Sequence, residues 1–370
     1  MKRAREFRLT GKKVISIDIG QHTTKIIAGQ KKENSIELTH AVSFPTPGNS
    51  YENGRITNFA LLENSIASKL KELRIKISNA LCSVESSEII TRESVLPYGT
   101  DEEVEKMLDY EIKHMPIEPD NYMILSKVLD YKVYEQGVPK VHTLVTAVPK
   151  GIVYNYFDLL KAMKLKPVVF DTQSNVLDKL IGSEFIINED ESIKNKSFAV
   201  LDIGYGHINI SIFEKGKYVF SRSLRMGAET IDRNLMRHLG VSQEYAETYK
   251  FAIRDLDRHA KQINYEQELR EDESIEMRVL HIVRSTIDQW LENIEKVMHY
   301  YTTQSISNII EQIYIYGGTT RIKGFSQYVQ QAYNIPVSHI SGVANVTCNF
   351  YEGDDELASY INALGTMIRR

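Results

Sequence analysis

Apolar and polar residues follow the same pattern in two stretches of the chain, Val14–Gly29 and Phe198–Ile212. In each stretch a β-branched apolar run reaches Asp-Ile-Gly, turns over small or polar residues and continues as a second apolar run. This order is typical of a β-hairpin with an acid and a glycine at its tip. The two acids, Asp18 and Asp202, are separated by about half of the 370 residues. We therefore predict an α/β protein of two related domains that close on one ligand.

Strands and helices alternate through the rest of the first half. Thr100 and Glu103 have the spacing of a capping box, and the helix that they begin must end before Pro116. The stretch 85–165 as a whole predicts a compact β-α-β-β-α insertion. The predicted elements are strand Ile36–Phe44, helix Phe59–Leu73, strands Ile75–Val84, Thr91–Leu96, Tyr122–Tyr134 and Val141–Val148, helix Ile152–Met163, strand Val168–Asp171 and helix Gln173–Gly182.

The second half is predicted to be richer in helix. Apolar residues recur at steps of three and four through Met277–Tyr301, the longest helix that we predict. This apolar stripe fits either packing on its own domain or a coiled-coil partner. The other predicted elements are helices near 227–239 and 242–254, a charged loop or exposed helix start at Glu266–Glu273, strand Ile313–Tyr316 and a terminal helix Ala358–Ile368.

Composition and charge exclude several classes of function. The formal net charge is −4, so a nucleic-acid partner has no electrostatic support. No apolar stretch approaches the roughly 18 residues of a membrane span. Two thiols, Cys82 and Cys348, suit a reducing compartment, and we expect the chain to be cytoplasmic. The basic stretch 1–13 fits either a solvated tail or a weak attraction to anionic lipid.

The two hairpin tips carry the candidate chemistry. Glycine lets the chain turn tightly, and the amides that follow it can face phosphate oxygens. Asp18 and Asp202 would repel phosphate directly, so we expect them to act through Mg²⁺, which keeps several waters and takes few carboxylates. The candidates for phosphate contacts are Gly20, Gln21, His22, Thr23, Thr24 and Lys25 at the first tip and Gly204, Gly206, His207 and Asn209 at the second.

A third element ends a strand in Gly317-Gly318, where a flat ligand can approach the backbone beside a helix N-terminus. Thr319 and Arg321 join the candidate site with it. The sequence has no Gly-x-x-x-x-Gly-Lys-Ser/Thr loop and no His or Cys cluster with metal-ligand spacing. Three plainer interpretations stay open: two ordinary hairpins, a simple β-to-helix turn, and His22 and His207 as polar turn residues rather than phosphate donors.

These three elements, in this order, resemble the actin-like ATPase superfamily, which has duplicated ribonuclease H-like domains. Asp18–Lys25 is similar to its first phosphate motif, Asp202–Asn209 to its second and Gly317–Phe325 to its adenosine motif. The insertion at 85–165 lies where the FtsA and PilM families carry an extra subdomain. The resemblance therefore implies an actin-like fold with an inserted β-α-β-β-α subdomain.

Within that pair the chain resembles the PilM family of type IV pilus assembly proteins more closely. The segments that carry this resemblance are Thr91–Pro97, Tyr110–Pro116, Leu165–Asp171, Met226–Ile231 and Ala246–Lys250. In actin-like proteins the last two segments line the adenine and the ribose. The resemblance thus implies base or ribose contacts for Gly227, Thr230, Glu247 and Lys250.

The resemblance also implies a division of the chain into subdomains. The expected boundaries are 1–84 for the first part of subdomain 1A, 85–165 for the inserted subdomain 1C, 166–195 for the return of 1A, 196–240 for the first part of subdomain 2A, 241–305 for the mainly helical 2B, and 306–370 for the return of 2A with a C-terminal helix packing on 1A.

A scaffold role follows from the resemblance. It implies ATP and Mg²⁺ as cofactors, with nucleotide acting mainly as a conformational ligand and ATPase activity weak or absent. The implied partner is a PilN-like inner-membrane protein, whose short N-terminal tail docks between the first domain and the insertion and holds the scaffold at the inner face of the cell membrane. Pilus motor ATPases and further copies of the chain are additional candidate partners.

The chain departs from the family pattern at three positions. His22 and His207 stand where small residues are usual, and Gln173 stands where the connecting motif often has an acid. These departures bear on hydrolysis more than on binding.

Two alternatives to the pilus role stay open. One alternative is an FtsA-like cell-division filament protein, which the lack of an amphipathic helix before Arg370 disfavours. The other is a small-molecule kinase of the same superfamily, with Asp171 as its positional base candidate.

Overall fold

The computed structural model describes residues 9–135, 137–182, 187–188, 190–256, 274–305, 308–348 and 357–368. Most of the basic stretch at the start of the chain and the charged stretch Glu266–Glu273 lie outside these ranges.

The elements follow the predicted order with several additions. The first half begins with β1 (Lys13–Ile19), β2 (Thr23–Lys31), β3 (Ile36–Pro45), β4 (Tyr51–Glu52), β5 (Arg55–Ile56), α1 (Phe59–Glu72) and β6 (Asn79–Val84). The insertion and the return from it contribute β7 (Ile90–Pro97), α2 (Asp101–Lys113), β8 (Tyr122–Glu135), β9 (Val138–Pro149), α3 (Lys150–Ala162), β10 (Lys166–Thr172) and α4 (Gln173–Ile181). The second half contains β11 (Phe198–Ile203), β12 (Ile208–Glu214), β13 (Lys217–Leu224), α5 (Ala228–Leu239), α6 (Gln243–Ala252), α7 (Ile275–Thr302), β14 (Gln312–Tyr316), α8 (Phe325–Tyr333), β15 (Val337–His339), β16 (Val346–Cys348) and α9 (Ile361–Thr366).

Two of the sheets share one topology. The first has the strand order β10-β6-β1-β2-β3-β16, and the second has the order β15-β14-β11-β12-β13. In both, an antiparallel meander continues through two parallel strands, so that β1 relates to β2 and β6 as β11 relates to β12 and β14. This confirms the two predicted hairpins and the duplicated α/β architecture.

The central strands are apolar because both of their faces are covered. Ile15 and Ile17 of β1 are fully buried, and every residue of β11 is buried. Strands that are covered on both faces read as continuous apolar runs rather than as alternating ones. The apolar runs end with the strands, at Ile19 and Ile203, and the polar hairpin tips begin directly after them.

The insertion has its own small antiparallel sheet, with the order β7-β9-β8. Helix α2 covers it with Val104 and Leu108, and the predicted capping box of Thr100 and Glu103 is present at its start. Helix α3 packs elsewhere, because its buried face joins the core of the first sheet, where the Tyr156 hydroxyl lies 2.7 Å from the Tyr51 hydroxyl. Helix α3 thus fastens the insertion to the first half.

Helix α7 is the long helix that the sequence predicts. Its apolar stripe, which includes Val283, Ile287 and Trp290, is buried in the core of the second half. The packed interpretation is therefore correct and the stripe is not a free coiled-coil face. Among the described helices, none is both long and apolar enough to cross a membrane.

The last described helix returns to the first sheet. Helix α9 packs in the same core as Val14 and Ile27, and Thr366 Oγ1 lies 2.6 Å from Ser16 Oγ on β1. It is shorter than the predicted helix Ala358–Ile368, because Leu357–Tyr360 forms a 3₁₀ turn before it. The packing brings the end of the described chain beside the strand that carries Asp18.

Candidate functional site

Both hairpin tips open onto one cavity between the two halves of the molecule. The Gly20 amide donates to the Thr23 carbonyl at 3.1 Å, and the Gly204 amide donates to the His207 carbonyl at 2.9 Å. The two turns are thus closed in the same way. The cavity has a volume of about 1010 Å³, part of it open to solvent, and Asp18 and Asp202 both line it. Two acids that are half a chain apart in sequence therefore share one space.

Most residues that the sequence predicts for the site are brought together here. The predicted residues that line the cavity are Asp18, Gly20, Gln21, His22, Thr23, Lys25, Asp202, Gly204, Gly206, His207, Asn209, Glu247, Lys250, Gly317, Gly318, Thr319 and Arg321. They come from both tips, from α6 and from the turn after β14.

Three predicted residues do not line the cavity. Thr24 is buried on the other face of β2, where its hydroxyl lies 2.8 Å from that of Thr46. Gly227 lies behind the second tip, where a β-carbon would come within 2.6 Å of the Gly204 carbonyl oxygen. Thr230 lies in the first turn of α5, and its amide donates to the Gly227 carbonyl at 2.9 Å. In this arrangement Gly227 allows the start of α5 to approach the tip closely.

The two carboxylates have different surroundings. Asp18 accepts a hydrogen bond of 2.6 Å from the Ser83 hydroxyl. Asp202 accepts hydrogen bonds from the side-chain amides of Gln173 and Asn362. Burial raises the pKa of Asp202 to about 6; the Lys25 cation opposes this shift and the Asp18 charge adds to it. The lack of solvent around Asp202 therefore brings its pKa close to neutral pH.

Across the described ranges, no cluster of three His, Cys, Asp or Glu side chains could hold a metal ion by itself. A divalent cation in this cavity would need oxygen ligands from water and from the bound ligand in addition to Asp18 and Asp202. Mg²⁺ has this preference, since it keeps several waters and uses one or two carboxylates with substrate phosphates.

Sequence reasoning missed a third acid, Glu85, which follows β6 directly and lines the same cavity. Burial raises its pKa to about 8, the nearby Ser223 hydroxyl opposes this shift, and the charges of Asp202 and Asp18 add to it. One signal could have found it: β6 runs parallel to β1, so residues that follow both strands meet at one sheet edge.

The α6 wall of the cavity combines charge with aromatic surface. Lys250 is almost fully buried, and its ammonium donates to Asp232 at 2.6 Å. The centroid of the Phe251 ring lies 5.1 Å from the Lys250 ammonium and 5.7 Å from the Arg321 guanidinium. Sequence reasoning did not find Phe251 or Tyr205, which also lines the cavity. This wall can therefore accommodate a ligand that has a flat ring next to polar groups.

The first tip contacts the second half directly. The Gln21 amide donates to Glu229 at 3.1 Å, and His22 Nε2 lies 3.1 Å from a carboxylate oxygen of Glu247. The His22 ring also lies 4.8 Å from the Tyr205 ring, centroid to centroid. These contacts cross the opening between the halves and describe a closed arrangement.

Two polar atoms beside the second tip have no partner in the described part of the chain. They are His207 Nε2 and Asn209 Oδ1, both buried. Burial lowers the pKa of His207, which favours its neutral form. A buried polar atom without a partner is costly, and a ligand that offers a matching group removes the cost. The second tip is therefore chemically prepared for a polar ligand.

Two sheets of the same order, facing acidic tips and an interdomain cavity define the actin-like class of proteins. Solved structures share this fold. A PilM-PilN type IV pilus biogenesis complex matches with a TM-score of 0.77 at 18% identity over 96% of this chain and 97% of that one. The ethanolamine utilization protein EutJ from Carboxydothermus hydrogenoformans matches with a TM-score of 0.55 at 13% identity over 97% and 90%.

The family follows from the sequence itself. The family model described as type IV pilus assembly protein PilM matches residues 16–360, nearly the whole chain. The chain belongs to this family. The resemblance drawn from the motifs is confirmed.

More distant relatives fit the same class. The cell division protein FtsA of Bacillus subtilis is 22% identical over 294 residues, which is 72% of this chain and 62% of that protein. FtsA of Staphylococcus epidermidis is 25% identical over 64% of this chain and 53% of that protein. The chain thus spans little more than half the length of these two relatives.

Proposed function

We propose that this protein is an ATP-binding scaffold of type IV pilus assembly, in which Mg²⁺-ATP between the two halves sets the shape of a partner-binding surface. The observation that carries the proposal is the convergence of the two acidic tips on one cavity. Membership of the PilM family supplies the setting. The solved MreB5 of Spiroplasma citri, which has a TM-score of 0.50 to this chain, is bound to ADP, and this supports a nucleotide as the ligand class.

The residues in the cavity fit this ligand. The tip amides of Gln21, His22, Tyr205 and Gly206 have no hydrogen-bond partner in the described ranges, and successive amides of this kind are suited to phosphate oxygens. Lys25 adds a cation to the same space. Bound Mg²⁺ would neutralise phosphate charge beside the two carboxylates. In this proposal Asp18 and Asp202 hold the cation, and the glycines keep the backbone close to the phosphates.

Nucleotide acts in this proposal as a conformational ligand. It can shift an open-closed equilibrium only by binding one form more tightly than the other. A molecule that contacts both tips meets this condition, because its contacts with Gly20 and with Gly204 form together only when the halves are close. The crossing contacts of Gln21 and His22 would then be made or broken with the ligand.

We propose that turnover is weak or absent. Gln173, which stands where the superfamily often has an acid, donates to Asp202, and its own carbonyl oxygen accepts from Asn209. A residue that is engaged at both ends is poorly placed to orient an attacking water. Glu85 is the remaining acid deep in the cavity, and its raised pKa of about 8 leaves it mostly protonated at neutral pH.

The proposed partner is the short cytoplasmic tail of a PilN-like membrane protein, which would hold the scaffold at the membrane. A groove lies where the insertion, α4 and the β12–β13 turn meet, and Leu129, Ile181 and Lys217 are among its lining residues. Strand β8 borders the groove and, among the described strands, pairs with β9 alone. An extended peptide can add to such an edge as a further strand.

Thermal unfolding with and without Mg²⁺-ATP tests the nucleotide part. A ligand that binds only the native state at a hundred times its Kd adds about 2.7 kcal/mol of stability. A melting temperature that does not change at millimolar ATP would contradict the proposal.

Fluorescence anisotropy of a labelled tail peptide tests the partner part of the proposal. The affinity of the peptide should change when Mg²⁺-ATP is added, because the proposal couples the peptide site to the nucleotide site, and such coupling is reciprocal.

An FtsA-like filament role is the second candidate, and similarity to two FtsA proteins favours it over others. Sedimentation with ATP and lipid vesicles separates the two roles, since a filament would pellet with nucleotide and the scaffold would not.

The kinase alternative has little support. Asp171, its base candidate, forms a buried ion pair with Lys179 and is not among the residues that line the cavity.

A further inference from the structure

The edge of the first sheet that lies opposite the cavity concentrates positive charge. Strands β1, β6 and β10 run parallel, so all three begin at this edge and end at the cavity. The segments around their starts, 11–13, 71–78 and 161–166, contain eight basic residues and one acid, in a chain whose net charge is −4. The exposed cations that we call the basic face are Lys13, Arg74, Lys76, Lys161, Lys164 and Lys166.

Hydrogen bonds hold these segments side by side. The Asn79 side-chain amide donates to the Lys13 carbonyl at 3.4 Å, and the Lys166 amide donates to the Ser78 carbonyl at 2.7 Å. The single acid of the segments, Glu72, forms an ion pair with a lysine of its own helix. Across the described ranges no cation of the basic face takes part in an ion pair. The positive charge of this edge is therefore not neutralised by the fold.

Two of the cations stand where the backbone favours another residue. Helices α1 and α3 both end at this edge, and each is followed by a residue in the left-handed region, Arg74 with a φ of 53° and Lys164 with a φ of 59°. Glycine and asparagine are the usual residues at such helix ends, because other side chains strain the backbone there. Asparagine occupies most of the other positive-φ, non-glycine positions that the structure describes. A cation is thus kept at both helix ends at a conformational cost.

Helix dipoles explain only part of this charge. A cation in the last turn of a helix is stabilised by the carbonyl end of the dipole, which applies to Lys161. Lys13, Lys76 and Lys166 instead begin or precede strands, which have only small net dipoles. The basic face is therefore suited to an extended anionic surface outside the molecule.

The composition of the basic face favours a lipid surface over a nucleic acid. Leu73, Ile75 and Ile77 alternate with Arg74 and Lys76 and are partly exposed, and apolar side chains between basic ones suit anionic headgroups above acyl chains. The three segments contain no aromatic residue on which a base could stack. They consist of helix ends and strand starts, which cannot enter a DNA groove as a helix or a β-ribbon does.

We propose that the basic face is a peripheral membrane-binding surface, which docks on anionic lipid headgroups and leaves the cavity on the side away from the bilayer. This inference goes beyond the proposed function, since no nucleotide and no partner protein takes part in it.

The position of the proposed partner groove agrees with this orientation. Helix α4 starts at the cavity with Gln173, packs on β10 and ends with Ile181 in the groove, so it runs back towards the edge that carries the basic face. A membrane protein whose tail enters the groove and a bilayer under the basic face would then lie on the same side of the molecule. Only this agreement, and not the inference, rests on the proposed function.

The test is flotation of the full chain, without nucleotide, with vesicles of equimolar phosphatidylcholine and phosphatidylglycerol and with vesicles of phosphatidylcholine alone. Vesicle-bound protein rises in a density gradient, whereas a nucleotide-dependent filament would pellet. We expect the wild type to float with the anionic vesicles only, and rising salt to release it, because salt screens the attraction.

Arg74→Asn with Lys164→Asn removes two cations at positions that suit asparagine. Each basic side chain near an anionic surface strengthens binding by roughly fivefold, so the lipid concentration for half-maximal flotation should rise roughly twentyfold. The melting temperature should stay the same or rise. Lys106→Gln with Lys296→Gln removes the same charge from exposed positions of α2 and α7 and should float like the wild type.

The remaining outcomes contradict the inference. A wild type that floats with neither kind of vesicle, or equally with both, overturns it, and so does a double asparagine variant that keeps the wild-type affinity. A wild type that binds duplex DNA but does not float would assign the basic face to a nucleic acid instead. If the asparagine variant does not fold, Lys76→Gln with Lys166→Gln measures the same loss. None of these results depends on Mg²⁺-ATP, so the melting experiment with nucleotide decides the proposed function separately.

Discussion

Asp18 and Asp202 occupy the same register position on β1 and β11, yet they face different partners across the hairpin. Asp18 lies opposite Lys25, and Asp202 lies opposite Asn209. The first acid thus has a cation in the next strand, and the second has an amide. Asp202 is also only 8% exposed. The duplicated fold therefore places its two matching acids in unequal surroundings, and the buried charge of Asp202 destabilises the ligand-free protein.

Replacing Asp202 with Asn should separate stability from binding. Burial raises the pKa of Asp202 from 3.8 to about 6, so its ionised form is costly near pH 7.5. We expect Asp202→Asn to stabilise the ligand-free protein by about 1–3 kcal/mol, since one pKa unit corresponds to about 1.4 kcal/mol. The same change should weaken Mg²⁺-ATP binding at least tenfold. Urea unfolding and calorimetric titration measure the two effects.

Asp158→Asn, at an exposed position of α3, is the control and should change neither quantity. A loss of stability in Asp202→Asn without ligand would show that the carboxylate is needed by the fold itself, and the assignment to a cation site would then fail.

Stability should depend on pH through Glu85. Its pKa in the folded protein is about 8, well above its ordinary value of 4.5, so the folded protein keeps a proton that the unfolded chain loses between these values. Stability must therefore fall as the pH rises from about 4.5 to 8. Asp202 adds to this fall only up to about pH 6. Chemical unfolding at intervals from pH 5 to 9 measures the slope.

Glu85→Gln should remove the slope between about pH 6 and 8 and reduce it between about pH 4.5 and 6, where the contribution of Asp202 remains. At pH 8 we expect the variant to be more stable than the wild type by about 1–3 kcal/mol. Glu88→Gln is the control, because the Arg55 guanidinium lowers the pKa of Glu88 and its titration therefore lies outside this interval. An unchanged slope in Glu85→Gln would show that the buried acid is already ionised at neutral pH.

Features that depend on local pattern were predictable from sequence. The hairpins that carry Asp18 and Asp202 were found because apolar runs, glycine and polar turns lie next to one another in the chain. Strands β15 and β16, of three residues each, are too short to show a period, and β13 was overlooked behind the stronger hairpin signal. Such strands exist because a neighbouring strand supplies their hydrogen bonds.

The site was predictable to the extent that its residues lie on the tips. Glu85 was missed because its position depends on β6 pairing in parallel with β1, where Ser83 lies opposite Asp18. Thr24 was included although strand alternation could have excluded it, since neighbouring residues in a strand point to opposite faces. Thr23 and Lys25 line the cavity and Thr24 does not.

The buried pair of Lys250 and Asp232 should behave as a unit. Both side chains are at most 3% exposed, and burial raises the pKa of Asp232 although Lys250 opposes this. Lys250→Met leaves a buried acid without its cation and should cost about 3–5 kcal/mol. The double variant Lys250→Met with Asp232→Leu should recover most of that loss. A double-mutant cycle of urea unfolding measures the coupling, and additive losses would contradict it.

Gly317 and Gly318 are adjacent, line the same cavity and should respond differently to alanine. Gly317 has a φ of 102°, and a β-carbon there would lie 2.5 Å from Asp202 Oδ1 and 2.6 Å from the Ile203 carbonyl oxygen. A β-carbon on Gly318 would have no atom within 4 Å. Gly317→Ala therefore both strains the backbone and displaces the carboxylate, and we expect it to cost about 1–3 kcal/mol of stability. It should also abolish measurable Mg²⁺-ATP binding.

Gly318→Ala adds the same methyl group one residue later, and its stability should stay within about 1 kcal/mol of the wild type. Thermal unfolding with and without Mg²⁺-ATP compares the two variants under one protocol. Because both variants replace a glycine by alanine at neighbouring positions, a difference in their melting temperatures or in their response to Mg²⁺-ATP reports the close approach of Gly317 to Asp202. Equal tolerance of both substitutions would mean that the turn after β14 does not need to be held against the second acid.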